Sequence, residues 1–387
     1  MKRNKCQKIL IVTNIPNPYR IALFNELNKQ LISRGIGLKV IFGARGYSGR
    51  KFKLEMKECQ FEYSVLDSST FNLFFTEKPL FTYSGLSKLI RQEQPDQIII
   101  IGFSLGTVKL WLRSFGDKTP IVIWSGTIPT SKHPFLRLMQ RKLIMKRISG
   151  YIAYGSKAKE YLVSLGADPC KVYIAINTVD TNFFSSKTSQ LRKELEEKGD
   201  KKHLTYIGYF IPRKNVLRVL EVVKLLAGTR NDFILDLIGD GPDREKLERF
   251  VEDNDILSFV KFHGFRQKDE LPYFLARSHC FLFQTDFDIW GLVLNEAMAA
   301  GIPCISSIHA GATHDLIIEG ETGFAMDFQD GEKVVEKISW ILDNPQKAKE
   351  IGGNAAHFIK KNASLQNTVT GFIHSIEKIG HPKNPDG

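Results

Sequence analysis

The sequence predicts an α/β protein built from two doubly wound, Rossmann-like domains facing a central cleft. Three observations predict it. Short, near-continuous apolar runs, KILIVT at 8–13, QIIII at 97–101 and IVIW at 121–124 among them, have the composition of strands buried on both faces of a parallel sheet. Helical patterns alternate with these runs, as crossover connections between parallel strands require. The alternation fills a chain of 387 residues that is 43% hydrophobic, enough for two cores, and a polar, charged stretch at 183–202 interrupts it once.

The first domain is expected over 1–182. Its opening strand at 8–13 runs into Asn14-Ile-Pro-Asn-Pro-Tyr-Arg20, and apolar residues Ile21, Leu23, Phe24, Leu27 and Leu31 then mark a helix. From the residues alone, Pro18 starts that helix with Tyr19 and Arg20 exposed. Residues 38–42, 97–101, 121–124, 151–154 and 172–176 are the further strands. The ends of the strands at 97–101 and 121–124, with Trp124 and Ser125 at the second, point toward the cleft, where open α/β sheets bind ligands. The aromatic segment 71–83 reads as core, with a dip into a bilayer interface as the alternative. Between 132 and 147 stand six basic residues and no acid. Their cations and apolar residues scatter around a helical projection, which predicts a partly buried helix with a basic exposed edge.

The second domain is expected over 183–365, a helix that packs back toward the first domain over 366–380, and a disordered tail over 381–387. A strand at 204–208, LTYIG after His203, leads into Tyr209-Phe-Ile-Pro-Arg213-Lys214-Asn215, and further strands are expected at 233–238, 260–263, 281–283 and 303–307. The stretch 281–301, FLFQTDFDIWGLVLNEAMAAG, organises the domain: a buried strand, an acidic loop, Gly291 and a helix, with Asp288 and Glu296 eight positions apart. Gly291 permits close approach of a ligand to the backbone. The amides of Leu292, Val293 and Leu294, together with the helix dipole, favour a phosphate there. Glu296, about 6 Å up the helix axis, leans back toward the same ligand. Two carboxylates at such a place suit sugar hydroxyls.

Composition narrows the function classes. Residues 1–182 hold 28 Lys and Arg against 12 Asp and Glu, a net +16, whereas 183–387 hold 26 against 30, a net −4. The first half therefore expects an anionic partner, an anionic membrane surface or a phosphorylated acceptor. Nucleic acid is not expected, because no zinc finger, RNP-like box or recognition helix accompanies the charge. The five cysteines are dispersed and contain no C-x-x-C pair, so neither a disulfide framework nor a zinc site is predicted. No apolar run is long enough to span a bilayer, and the first residues lack the features of a signal peptide, so a cytoplasmic protein is expected.

The pattern D-I-W-G-L-V-L-N-E-A-M-A-A-G-I-P at 288–303 resembles the signature of glycosyltransferase family 4, retaining nucleotide-sugar enzymes of the GT-B fold. The first acid of that signature is usually Glu and here is Asp288. The segment Gly239-Asp-Gly-Pro242 resembles a family turn, Gly264-Phe265 the loop beside the nucleotide base, and Lys214 a lysine on the donor diphosphate. The family's arginine directly after Gly208 is replaced by Tyr209, and Arg213 is its expected substitute.

The resemblance implies a glycosyltransferase with Asp288, Glu296 and Lys214 as catalytic residues. It implies a donor site of Gly208, Arg213, Lys214, Gly264, Phe265, Asp288, Ile289, Trp290, Gly291, Leu292, Val293 and Glu296. Tyr19, Arg20, Trp124 and Ser125 would lie on the acceptor side. No metal and no cofactor other than the nucleoside-diphosphate sugar are implied. The acceptor would be a glycan or lipid-linked glycan of bacterial cell-surface polysaccharide synthesis, met on the inner face of the cell membrane. Two alternatives stay open: a catalytically silent GT-B-like protein that binds a nucleotide or lipid headgroup, and a GT-B nucleotide-sugar epimerase.

Overall fold

A computed structural model describes residues 7–46, 56–71, 80–129, 135–195 and 201–380. The chain divides into two compact units, one formed by Met1–Asn177 with Leu365–Gly387 and the other by Thr178–Ser364. The expected tail at 381–387 and most of the aromatic segment at 71–83 lie outside the described residues, but Phe81 and Tyr83 are buried core.

The first unit holds strands β1 (Gln7–Thr13), β2 (Ile36–Phe42), β3 (Glu62–Val65), the short antiparallel pair β4 (Thr70–Phe71) and β5 (Leu80–Phe81), β6 (Gln97–Ile101), β7 (Ile121–Ser125), β8 (Gly150–Ala153) and β9 (Val172–Ile174). Seven of them form one sheet in the order β3-β2-β1-β6-β7-β8-β9, parallel throughout. Ile9, Leu10, Ile11 and Val12 in β1 are wholly buried, which is why these strands read as unbroken apolar runs instead of alternating ones.

The second unit holds β10 (Lys202–Ile207), β11 (Phe233–Ile238), β12 (Val260–Gly264), β13 (Ser278–Phe283), β14 (Cys304–Ser307) and β15 (Phe324–Met326), again one parallel sheet, in the order β12-β11-β10-β13-β14-β15. From β10 the chain builds outward through β11 and β12, then returns to lay β13 on the other side. The topological switch point is therefore between β10 and β13. Loops leaving the carboxyl ends of these two neighbours part there and leave a crevice.

Two elements differ from expectation, and the last helix falls in the first unit, toward which it was expected to pack. Residues 183–202, expected as a linker with one exposed helix, are less exposed than that: the helix Thr181–Glu194, capped by Asp180, which accepts from the Phe183 amide, buries Thr181, Phe184 and Thr188 in the second unit. Three buried residues, two of them threonines, among charges form too narrow a stripe to be read as a packed face. The last helix, Leu365–Gly380, belongs to the first unit, where Phe372 stacks edge-on against Trp124 at 4.8 Å between ring centroids and Gly371 lies against the Ile174 carbonyl. The helix Phe135–Met145 buries Ile144 and Met145 but leaves Phe135, Leu136, Met139 and Leu143 exposed, so its outer edge is apolar as well as basic.

Candidate functional site

Within the second unit, three loops meet at the carboxyl ends of β10, β13 and β14. After β10 the chain turns through the short 3-10 helix Pro212–Lys214, which brings Lys214 inward until it is only 7% exposed. After β13 it runs through 284–290 to Gly291. Lys214 Nζ donates to Asp288 Oδ2 at 2.5 Å, and Arg213 Nη1 stands 3.6 Å from the same oxygen and donates to the Phe287 carbonyl at 3.2 Å. Burial alone would raise the Asp288 carboxyl, but the charges of Lys214 and Arg213 outweigh it and hold the group below the usual range. Asp288 is thus a largely enclosed anion, its side chain 14% exposed, with two cations beside it.

The backbone fixes this arrangement. The Asp288 amide donates to the His309 carbonyl at 3.2 Å, and its carbonyl accepts from Gly311 at 3.0 Å, so the loop after β14 clamps it from the other side. The Arg213 carbonyl accepts from the Thr285 hydroxyl at 3.0 Å and the Asp286 amide at 2.9 Å. Asp286 in turn takes Asn215 Nδ2 and Gln284 Nε2, each at 2.9 Å. The acidic loop read from the sequence therefore divides: Asp286 ties the β10 and β13 loops together, and Asp288 holds the cations.

Gly291 adopts φ 110°, a left-handed conformation that costs an L side chain dearly, and a Cβ there would lie 2.2 Å from the Phe283 ring. It opens the helix Leu292–Ala299. The first helical amides have no acceptor within their own helix, so those of Leu292 and Val293 form a positive terminus where the loop that carries Asp288 enters the helix. The Leu294 amide does not join them, since it donates back to the Gly291 carbonyl at 3.0 Å. Glu296 stands on this helix and is completely buried. Ile289 is half-buried in the loop. Trp290 acts inside the protein: its amide donates to Asp288 Oδ1 at 3.2 Å and its indole nitrogen to Asn295 Oδ1 at 3.0 Å, so its ring braces the helix start.

Gly208 ends β10 against the Ile238 carbonyl, and a Cβ on it would meet the Tyr206 hydroxyl at 2.8 Å. Gly264 ends β12 at φ 70°, and its carbonyl accepts from Gly239 at 2.9 Å. Tyr209 and Phe265 stack, with centroids 6.5 Å apart and planes at 29°, so the loops after β10 and β12 also touch. A cluster that sequence reasoning missed crosses the same sheet. Asp236 accepts from His203 Nδ1 and His263 Nε2, each at 2.6 Å. Burial would raise Asp236, yet these two hydrogen bonds bring it down to about 2. Three residues far apart in sequence gave no motif to find.

The residues expected on the acceptor side belong to the first unit, and two of them are corrected by the structure. Trp124 is wholly buried, covered by Phe24, Tyr154 and Phe372, with the Arg20 guanidinium 4.0 Å above its ring. Ser125 is buried too, and its hydroxyl accepts from the Thr127 amide at 3.1 Å within a turn. Both sit on the last residues of β7 before the chain turns, still inside the sheet. Arg20 is tucked against that core, where Nη2 donates to the Tyr154 hydroxyl at 2.6 Å; burial lowers its guanidinium and raises the Tyr154 phenol. Tyr19, whose amide donates to the Asn17 side chain at 3.1 Å, is half-buried at the helix start.

Residues 187–358 match the family described as Glycosyl transferases group 1. The match falls within the second unit. Among curated relatives, the chain is 29% identical over 192 residues to N-acetyl-alpha-D-glucosaminyl L-malate synthase of Bacillus anthracis, covering 49% of each chain. It is likewise 29% identical over 185 residues to an uncharacterized glycosyltransferase of Methanocaldococcus jannaschii, covering 48% of this chain and 50% of that one. The chain thus spans about half the length of the curated relatives it matches. Solved structures match over nearly all of it. Anabaena HepE in complex with UDP aligns with a TM-score of 0.77 at 19% identity, over 96% of this chain and 100% of that one. Sucrose-phosphate synthase from Thermosynechococcus elongatus aligns with 0.77 at 17%, over 96% and 99%. These likenesses show the fold, two parallel-sheet Rossmann-like domains of the GT-B class, as the sequence predicted. Among the described residues no helix is long and apolar enough to cross a membrane.

Proposed function

We propose that this protein is a retaining glycosyltransferase that moves a sugar from a nucleoside-diphosphate sugar to a glycan or lipid-linked acceptor, in the synthesis of bacterial cell-surface polysaccharide. The observation that carries the reading is the pair of cations, Lys214 and Arg213, held on the Asp288 carboxylate in the loop that leads into the helix terminus at Leu292–Val293, at the switch point of the sheet. Cleavage of a glycosyl–phosphate bond leaves charge on the departing diphosphate. Two cations and a helix N-terminus fixed beforehand stabilise that charge without reorganising, and in this reading no metal ion is needed. Lys214 would be shared between Asp288 and the diphosphate, Glu296 would hold the ribose hydroxyls and Asp288 the donor sugar. Gly264 and Phe265, beside Tyr209, would border the nucleotide base.

Two relatives named as GDP-mannose-dependent mannosyltransferases support a sugar-nucleotide donor, and the complexes of HepE with UDP and with UDP and glucose make a uridine donor the first to test. The acceptor side is assigned to the first unit by its net charge of +16, which favours a phosphate-bearing or lipid-linked acceptor at the inner, anionic face of a cell membrane. Incubation of the protein with a panel of nucleotide sugars and lipid-linked acceptors, read by release of nucleoside diphosphate, tests the proposal. Release that depends on acceptor is expected. A protein that binds nucleotide yet releases none with any pair would instead be a silent GT-B-like binder. Release of free, rearranged sugar without acceptor would indicate an epimerase.

A further inference from the structure

The helix Phe135–Met145 of the first unit carries an arrangement that the donor chemistry does not use. Phe135, Leu136, Met139 and Leu143 are 73%, 79%, 53% and 50% exposed, while Ile144 and Met145 are buried. At 3.6 residues per turn the four exposed side chains fall within an arc of about 100°, facing away from the unit. Single exposed apolar residues are ordinary, but four large ones on one short helix are not. The exposed cations Arg137, Lys142, Lys146 and Arg147 surround them. Arg147 lies 3.8 Å above the ring of Phe115, itself 60% exposed, and donates to the Ser114 carbonyl at 3.1 Å, which extends the apolar surface to the end of the neighbouring helix Leu105–Arg113. No Asp or Glu occurs between Asp117 and Glu160.

We infer that this helix is a docking surface for an anionic lipid bilayer, with Phe135, Leu136, Met139 and Leu143 set into the boundary between headgroups and acyl chains. Apolar side chains ringed by cations match that boundary, where acyl chains lie beneath a layer of negative phosphates. A second copy of the chain fits the surface less well, because a two-fold contact would set the cations of one copy against those of the other. The inference rests on the proposed function only in placing the acceptor at a membrane, and binding to vesicles requires no turnover.

The test is sedimentation of the full chain with vesicles of phosphatidylcholine alone and mixed with phosphatidylglycerol, at low and high salt. The protein should bind the anionic vesicles and come off as salt is raised. Phe135→Ser combined with Leu136→Ser should weaken binding at least about tenfold. Lys142→Glu combined with Lys146→Glu should weaken it by more than about tenfold, since each basic residue near the surface is worth about fivefold. Leu257→Ser, at a 63% exposed leucine of the second unit, should leave vesicle binding as it was. UDP titration of every variant should match the parent, which separates a lost surface from a damaged fold. Equal binding to neutral vesicles, no binding to either kind, or parental binding by the two double variants would overturn the inference. So would self-association that the serine variants abolish, which would assign the face to a second copy. Vesicle binding through this face without diphosphate release from any donor would leave the docking surface standing and remove the transferase reading.

Discussion

The Lys214 ammonium and the Asp288 carboxylate, 74 residues apart, form a 2.5 Å ion pair across the switch point of the second sheet. Neither side chain is exposed, and the Arg213 guanidinium stands 3.6 Å from the same carboxylate oxygen. Removing the negative charge therefore alters the cations as well. Asp288→Asn should lose transfer activity, and Asp288→Glu, which keeps the charge on a longer arm, should retain a measurable part. Steady-state rates for the three proteins decide it; equal rates would mean that Asp288 does not touch the donor sugar.

Gly291 is the position where backbone and packing both exclude a side chain. In Gly291→Ala the Cβ would meet Phe283 and an alanine would have to adopt φ 110°. Roughly 2–5 kcal/mol of stability should be lost, and diphosphate affinity with it, because the helix start must move. Chemical denaturation of Gly291→Ala, Phe283→Leu and the pair checks the cause. A double variant that is less destabilised than the sum of the singles is the expected coupling, whereas strict additivity would show that the ring is not what resists the new methyl.

Asp236 gives the second unit an acid limit. Its folded value of about 2 lies below the ordinary 3.8, so its stabilising contribution is complete above about pH 4 and disappears as pH falls through about 2. The difference corresponds to roughly 2 kcal/mol. In Asp236→Asn that part of the acid dependence should vanish. Equilibrium unfolding from neutral pH down to the acid limit measures it, and an unchanged slope in the variant would refute the assignment.

How much of this was legible in the sequence depended on whether the deciding contacts were local. The parallel strands were, because residues such as Ile9 to Val12 are buried on both faces and leave a continuous apolar run. The acid pair and Gly291 were singled out by local spacing and Lys214 by its resemblance to a family lysine, and folding brings Lys214 and Asp288 into contact. What depends on tertiary neighbours was not legible. Trp124 and Ser125 sit at a strand end that looks like a cleft edge, yet Phe24, Tyr154 and Phe372 close over the tryptophan. A helical projection of 135–145 shows scattered apolar residues; only the packing of Ile144 and Met145 reveals which of them face outward. The union of His203, Asp236 and His263 comes from three adjacent strands and has no signature along the chain.

The central claim, a nucleoside diphosphate held between Lys214 and the helix that begins after Gly291, is tested most directly by calorimetric titration of UDP into the parent, Lys214→Met and Glu296→Gln. Arg213 remains near Asp288 in the first variant, and the second preserves side-chain volume, so both should fold. A charge-assisted hydrogen bond contributes roughly 1.5–3 kcal/mol, and each variant should therefore bind UDP about ten- to a hundredfold more weakly than the parent. Parental affinity in both variants, with unfolding transitions unchanged, would contradict the placement of the donor in the second unit.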